Sequence, residues 1–210
     1  MTASSSPGTF GSAGSGTGHG FASLAHDSQA VFRTVMHAIA RPGTISTFDP
    51  RLQPPEPLFA TTAALVLALA DFETTIWLDA PLAENGAVRD YLKFHCGSRI
   101  VAHPHEAAFA IVSRPATMPQ LIRFNQGLPA FPDRSTTVIV EVEALYPEGW
   151  RLHGPGIKDD IAFSAAPLPA DFGGQLVLNR DQFPLGVDLI FVTATEIAAL
   201  PRSVRLIRGG

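Results

Sequence analysis

Apolar positions repeat with two different periods along the chain, and the two periods predict alternating helices and strands. Residues 23–40 carry apolar side chains at helical spacing, and Arg41-Pro42-Gly43 ends this pattern, so we predict a first helix there. Residues 63–70 contain only Ala, Leu and Val, which is typical of a buried helix. Thr61 or Thr62 is expected to cap this second helix.

Short apolar runs predict the strands. The clearest run is 136–142, which is apolar on both faces as in the centre of a sheet. Further strands are predicted over 74–78, 100–102, 108–112, 150–153, 187–193 and 204–207, and further helical segments over 86–94, 118–124 and 172–178. Because helices alternate with apolar strands, the predicted fold class is α/β, with a mixed sheet covered by helices on both faces.

The first 20 residues differ from the rest in composition. Gly and Ser fill 11 of these 20 positions, and such a segment buries too little apolar area to offset its ordering entropy. We therefore predict a disordered tail over 1–20 and a single α/β domain over 21–210, because no repeat or linker divides the remainder.

Composition limits the partners and the compartment. The net charge is −4 with a pI near 5.9, and the absence of a basic excess argues against nucleic-acid binding. Only 16% of the residues are charged and 46% are apolar, which indicates a surface partly covered by a partner, so we expect a homodimer when the protein is isolated. No secretory signal or membrane-length apolar stretch is visible, so a cytoplasmic protein without membrane contact is expected.

Several catalytic motifs are absent from the sequence. Neither lysine, Lys93 nor Lys158, follows a glycine, so there is no P-loop, and neither a nucleophile elbow nor a dinucleotide-binding glycine turn occurs. The metal-like run His95-Cys96 and the run His103-Pro104-His105 lack a completing carboxylate or histidine at a known spacing. We therefore expect no metal site.

Five residues remain as candidates for ligand binding, each with a structural alternative. Arg202 can grip a phosphate with two N–H groups, or it can close the C-terminal strand in a salt bridge. Asp188 can hold a ribose hydroxyl or act as a general base, or it can cap the turn before it. His95 ends a helix and can serve acid–base chemistry or the helix dipole. Gly154 and Gly156 allow close backbone approach to a ligand, or they form a tight turn.

One run and five shorter stretches resemble a known family. The run Phe183-Pro184-Leu185-Gly186-Val187-Asp188-Leu189-Ile190 is similar to the signature of the PhnH-type subunit of the bacterial carbon–phosphorus lyase system. The first two of the other stretches each combine several segments: Phe32-Arg33 with Met36 and residues 41–43, and residues 60–62 with 67–71 and Trp77-Leu78. The remaining three are Leu92-Lys93-Phe94-His95, residues 152–157 and Leu200-Pro201-Arg202. The resemblance covers residues 22–206.

The resemblance implies a fold and a role. The fold would be similar to the large domain of pyridoxal-phosphate-dependent transferases but without that cofactor. The cofactor requires a lysine for its Schiff base, and the chain has only two lysines, Lys93 and Lys158. The role would be that of a subunit supporting displacement of adenine from ATP by a phosphonate, which gives ribose 1-phosphonate 5-triphosphate. Other carbon–phosphorus lyase subunits are the implied partners. The alternatives are a free-standing small-molecule enzyme with a phosphate-binding cleft, or a purely scaffolding subunit.

Any functional cleft is expected where the turn at residues 154–156 approaches residues 183–188 and Arg202, because irregular backbone at strand ends is where α/β folds hold ligands. As a surface residue, Arg202 is expected to be replaceable by alanine with little change in stability.

Overall fold

The computed structural model describes Gly18 and residues 20–207. Its helices are Leu24–Ala40 (α1), Ala60–Leu69 (α2), Ala80–Glu84 (α3), Gly86–Cys96 (α4) and Phe172–Asp181 (α5). Its strands are Ser46–Thr47 (β1), Thr75–Leu78 (β2), Arg99–Val101 (β3), Phe109–Val112 (β4), Thr137–Glu141 (β5), Ala144–His153 (β6), Ile161–Ala166 (β7), Asp188–Val192 (β8), Glu196–Leu200 (β9) and Arg205–Ile207 (β10). The predicted α/β class is confirmed.

The main sheet has seven strands in the order β1-β9-β8-β5-β4-β2-β3. Strands β8, β5, β4, β2 and β3 run parallel, while β9 is antiparallel to β8 and β1 is antiparallel to β9. The predicted mixed sheet is therefore confirmed. Its central strands are nearly continuous apolar runs because both of their faces are buried.

Alternate residues of the central strands belong to two separate cores, one on each face of the sheet. Ile139 and Ile190 pack with the buried sides of α1, α2, α3 and α4. Their neighbours Val140 and Phe191 pack on the other face, together with α5 and the second sheet. This division follows from the period of two in a strand.

A second, three-stranded antiparallel sheet in the order β10-β6-β7 covers part of that other face. Leu152 of β6 and Phe163 of β7 are buried in the core there. Helices therefore lie on both faces as predicted, but α5 shares the second face with this sheet. The expectation of a single mixed sheet needs correction, because the segments predicted at 150–153 and 204–207 lie in the small sheet.

The start of α2 also differs from the prediction. Thr61 and Thr62 lie inside the helix, and Phe59 is the N-cap residue. Phe59 has no side-chain acceptor, so Glu141 of β5 takes that role: its Oε1 accepts from the Phe59 N–H at 2.9 Å and from the Thr62 hydroxyl at 2.6 Å. The helix is thus capped from the sheet rather than by its own sequence.

The segment predicted as a helix over 118–124 is a single 3₁₀ turn, Leu121–Arg123. Most of the predicted tail lies outside the described residues, but Gly18 and Gly20 are described, and both contact the domain. No helix within residues 20–207 has the length and apolar character needed to cross a membrane.

Candidate functional site

Asp188 and Arg202 form an ion pair at one end of β8 and β9. Asp188 is the first residue of β8, and Arg202 lies two residues beyond the end of β9, so the antiparallel pairing of these strands brings the two side chains together. Asp188 Oδ1 accepts from the Arg202 backbone N–H at 2.8 Å and from Arg202 Nε at 3.1 Å, while Arg202 Nη2 pairs with Asp188 Oδ2. The two-pronged contact is the geometry in which arginine binds a carboxylate most strongly.

The rest of the Arg202 guanidinium is also occupied. Its Nη1 donates to the Pro132 carbonyl at 2.6 Å and lies 3.5 Å from the Pro184 carbonyl. The side chains of Arg202 and Asp188 are only 15% and 25% exposed. The expectation of a surface arginine is therefore wrong, and the pair joins three segments: the loop before β5, the loop before β8 and the end of β9.

The turn of Gly154 and Gly156 approaches this pair only at Gly154. A Cβ on Gly154 would lie 3.2 Å from the Ser203 carbonyl oxygen, next to Arg202 in the chain. Gly156 instead lies against the end of α1, where a Cβ would come within 2.2 Å of the Ala40 carbonyl oxygen. The cavity beside Pro201 has a volume of about 10 Å³, which is room for a single water molecule.

His95 lies apart from the other four candidates. It is on α4, which packs on the opposite face of the main sheet. The structure joins its Nε2 to the Gly18 carbonyl at 3.1 Å, and its ring packs on Tyr91 with 4.4 Å between ring centroids. The structure thus brings together Asp188, Arg202 and Gly154, and it separates His95 and Gly156 from them.

Two buried carboxylates that the sequence reasoning did not single out lie at the opposite, carboxyl end of the parallel strands. Asp79 follows β2, and its side chain accepts from the backbone N–H groups of Ser113 and Arg114 at 2.7 and 2.8 Å. Glu141 ends β5 and caps α2. An acidic residue at the end of an otherwise apolar strand was the signal for both, since open α/β sheets bind ligands at this edge.

Burial raises the pKa of Glu141 to about 7, against an ordinary value of 4.5. The hydrogen bonds from Thr62 and Phe59 lower this pKa, and the charge of Asp79 raises it, but the loss of solvation is the largest effect. Both carboxylates accept hydrogen bonds from donors of their own chain, so their described contacts are those of structural anchors.

The metal-like residues do not converge. In the described part of the chain, no three His, Cys, Asp or Glu side chains form a group that could hold a metal ion. The rings of His103 and His105 stack at 5.5 Å, and the Cys96 thiol donates to the Leu92 carbonyl at 2.8 Å.

The sequence match places the chain in a class of proteins. The family model for the bacterial phosphonate metabolism protein (PhnH) matches residues 19–207, which includes almost all of the described structure. The chain therefore belongs to the PhnH family of bacterial phosphonate metabolism proteins. The family resemblance of the sequence motifs is confirmed.

The chain is similar to two named proteins. The chain is 37% identical over 191 residues to the alpha-D-ribose 1-methylphosphonate 5-triphosphate synthase subunit PhnH of Rhizobium meliloti (strain 1021), covering 90% of this chain and 94% of that protein. It is 35% identical over 77 residues to the putative C-P lyase subunit protein HtxG of Stutzerimonas stutzeri, covering 36% of this chain and 39% of that protein.

Proposed function

We propose that this chain is a subunit of a carbon–phosphorus lyase complex that makes ribose 1-methylphosphonate 5-triphosphate, with other subunits of that complex as its partners. The reaction would replace the adenine of ATP by a phosphonate, in the cytoplasm where ATP is available. The observation that carries this proposal is the 37% identity to the Rhizobium meliloti subunit over 94% of that protein's length.

The geometry supports a contributing subunit over a free-standing enzyme. A triphosphate carries several negative charges, but the guanidinium of Arg202 is already held by Asp188 and two carbonyl groups. The carboxylates of Asp79 and Glu141 would repel the ligand, and both already accept hydrogen bonds from the chain's own donors. Of the five candidates, Gly154, Asp188 and Arg202 lie together and would therefore form a ligand site only with residues from a partner, while His95 and Gly156 would bind ligand only elsewhere on the chain.

Reconstitution of the complex tests this function. The other subunits are assembled with and without this chain, and release of adenine from ATP in the presence of methylphosphonate is measured. We expect a loss of adenine release when the chain is omitted. Loss of activity together with loss of assembly would indicate the scaffolding role, and adenine release by the isolated chain would indicate the free-standing enzyme.

We also propose that the fold is related to the pyridoxal-phosphate transferase domain but does not use the cofactor. The relation in fold is what the family resemblance implies, and the disuse of the cofactor is supported by the two lysines. Lys93 and Lys158 are exposed on the surface, and neither lines one of the four cavities described within residues 20–207. An aldimine absorbance that survives dialysis and is lost in Lys158→Ala would contradict this proposal.

A further inference from the structure

A groove of about 830 Å³ runs between α5 and the turn at residues 120–122. Leu178 and Ile122 border it and are 66% and 56% exposed. Large apolar side chains with this exposure in one concave place are unusual on a monomer surface and indicate a binding surface.

The two buried amide side chains that line the groove, Gln175 and Asn179, are already satisfied within the chain. Gln175 Oε1 accepts from the Leu121 N–H at 3.0 Å, and its Nε2 donates to Asp171 at 3.0 Å. The amide of Asn179 exchanges two hydrogen bonds with the backbone of Val187, at 2.8 and 2.9 Å. A small polar ligand would find few free partners here, so the groove mainly offers apolar contact.

Gly174, the third residue of α5, opens the groove near the start of that helix. A glycine inside a helix costs roughly 1 kcal/mol relative to alanine, and it usually reflects close packing. Here a Cβ at Gly174 would meet no atom of this chain within 4 Å. The packing of the isolated chain therefore gives no reason for the missing side chain, whereas a partner that approaches the helix backbone does.

The charges at the groove argue against a second copy of this chain as the occupant. Asp171 precedes α5 and Asp181 ends it, about 15 Å apart along the helix. An antiparallel twofold pairing centred between Gly174 and Leu178 would set each Asp171 against the copy's Asp181, and a parallel pairing would set each aspartate against itself. Like charges oppose both arrangements.

The neighbouring arginines do not pair with these two aspartates. Arg180 and Arg205 line a second cavity beside the groove, and Asp181 borders that cavity as well, but Arg180 lies over the ring of Phe183 instead. Neither Asp171 nor Asp181 takes part in an ion pair within residues 20–207.

We propose that this groove docks an amphipathic helix of a different polypeptide, with an apolar side chain seated at Gly174 and basic residues facing Asp171 and Asp181. The inference rests on the proposed function, because that polypeptide would be another subunit of the complex. Burial of apolar area would supply affinity, and the paired charges would fix the direction of the helix.

The test compares two variants that add the same side chain to different helices. Gly174→Gln fills the groove, and Ala87→Gln adds the same side chain to the exposed surface of α4, on the opposite face of the sheet. Each variant is mixed with the tagged, co-expressed remaining subunits, and its retention and its melting temperature are measured. We expect Gly174→Gln to keep or raise the melting temperature and to bind at least tenfold more weakly, while Ala87→Gln binds like the unaltered chain. Asp171→Lys combined with Asp181→Lys is expected to weaken binding as well.

Equal binding by Gly174→Gln and the unaltered chain would overturn the docking proposal while leaving the subunit function intact. Failure of the unaltered chain to bind the subunits would instead overturn the proposed function. Conversion of a dimer of the isolated chain to a monomer by Gly174→Gln would show that a second copy occupies the groove, which also contradicts the proposal.

Discussion

Arg202 shows how the surroundings of a residue decide between two roles that its sequence leaves open. An arginine after a proline near a strand end suits a phosphate or a salt bridge equally well. The structure gives it Asp188 and the Pro132 carbonyl as partners, so its described contacts are those of an internal clamp. The clamp ties loops that come from distant parts of the chain.

Removal of the clamp is expected to destabilise the fold. Arg202→Ala removes the guanidinium donors of the partly buried Asp188 carboxylate and of the Pro132 carbonyl, and we expect a loss of about 2 kcal/mol in the free energy of unfolding. Arg205→Ala is the matched control. The side chain of this exposed arginine makes no hydrogen bond within residues 20–207, and we expect the free energy of unfolding to change by no more than about 0.5 kcal/mol. Urea denaturation measures both. Equal stability of the two variants would show that Arg202 is free to serve a ligand.

Burial of the Glu141 carboxyl group makes the free energy of unfolding decrease as the pH rises. Its pKa is about 7 in the folded chain and near the ordinary 4.5 in the unfolded chain. Below pH 4.5 both states are protonated and the fold keeps its full stability. As the pH rises from 4.5 to about 7, the unfolded chain ionises first, so stability falls by something on the order of 3 kcal/mol and then levels off.

Glu141→Gln is expected to abolish that dependence. Its amide oxygen still accepts from Phe59 and Thr62, because both bonds use Oε1, and the group no longer titrates. The variant should be more stable than the unaltered chain at pH 8 and equally stable near pH 4.5, by urea denaturation. Glu143→Gln, at an exposed position two residues away, is the control and should follow the unaltered chain. A constant difference between Glu141→Gln and the unaltered chain at all pH values would contradict the assignment.

At the scale of elements, the sequence predicted best those segments whose pattern agrees with their packing. α1 and β5 were predicted to within one or two residues, because one has a single buried stripe and the other is buried on both faces. β9 was missed because Glu196–Leu200 is rich in alanine and leucine, and only its pairing with β8 makes it a strand. β6 was predicted only over its last residues, since Pro147 and Gly149 interrupt it at an irregularity in the pairing.

The candidate site likewise depends on contacts between residues that are distant in the sequence. The pairing of Asp188 with Arg202 depends on the antiparallel order of β8 and β9, and sequence spacing does not contain this information. Glu141 is a cap for α2 across 82 residues of sequence separation from Phe59, which no local motif signals.

Gly156 packs the turn at residues 154–156 against the end of α1, and this contact can be tested by substitution. Gly156 has a φ of +84°, and a Cβ would lie 2.2 Å from the Ala40 carbonyl oxygen at the end of α1. Gly156→Ala is therefore expected to cost at least about 2 kcal/mol, from backbone strain and displacement of α1. Gly174→Ala, in open space within α5, is expected to gain about 0.5–1 kcal/mol instead. Thermal unfolding separates the two, and a Gly156→Ala protein that melts with the unaltered chain would show that the turn is held loosely.

At the scale of the whole molecule, two apolar surfaces lie on opposite faces of the main sheet. One is the groove beside α5, whose aspartates disfavour a second copy. The other is the exposed side of α1, where Phe32 and Met36 lie one turn apart and are each 49% exposed. Phe32 and Met36 carry no charge, so pairing of this stripe with a copy buries apolar area without setting aspartates against each other. The exposed Arg33 beside them can keep its guanidinium in solvent. We therefore propose that the isolated chain forms its homodimer through α1, leaving α5 free for a different subunit.

This arrangement predicts that the two surfaces can be disrupted separately. Phe32→Ser combined with Met36→Ser removes the apolar stripe of α1 without touching its buried side, formed by Val31, Val35 and Ala38. In sedimentation velocity across a wide concentration range, we expect the unaltered chain to sediment as a dimer and this double variant as a monomer with an unchanged melting temperature. Leu178→Ser, at the α5 groove, is the control and should remain dimeric while losing retention by the other subunits. If the unaltered chain is a monomer throughout, or if Leu178→Ser is the variant that dissociates, the assignment of self-association to α1 is wrong.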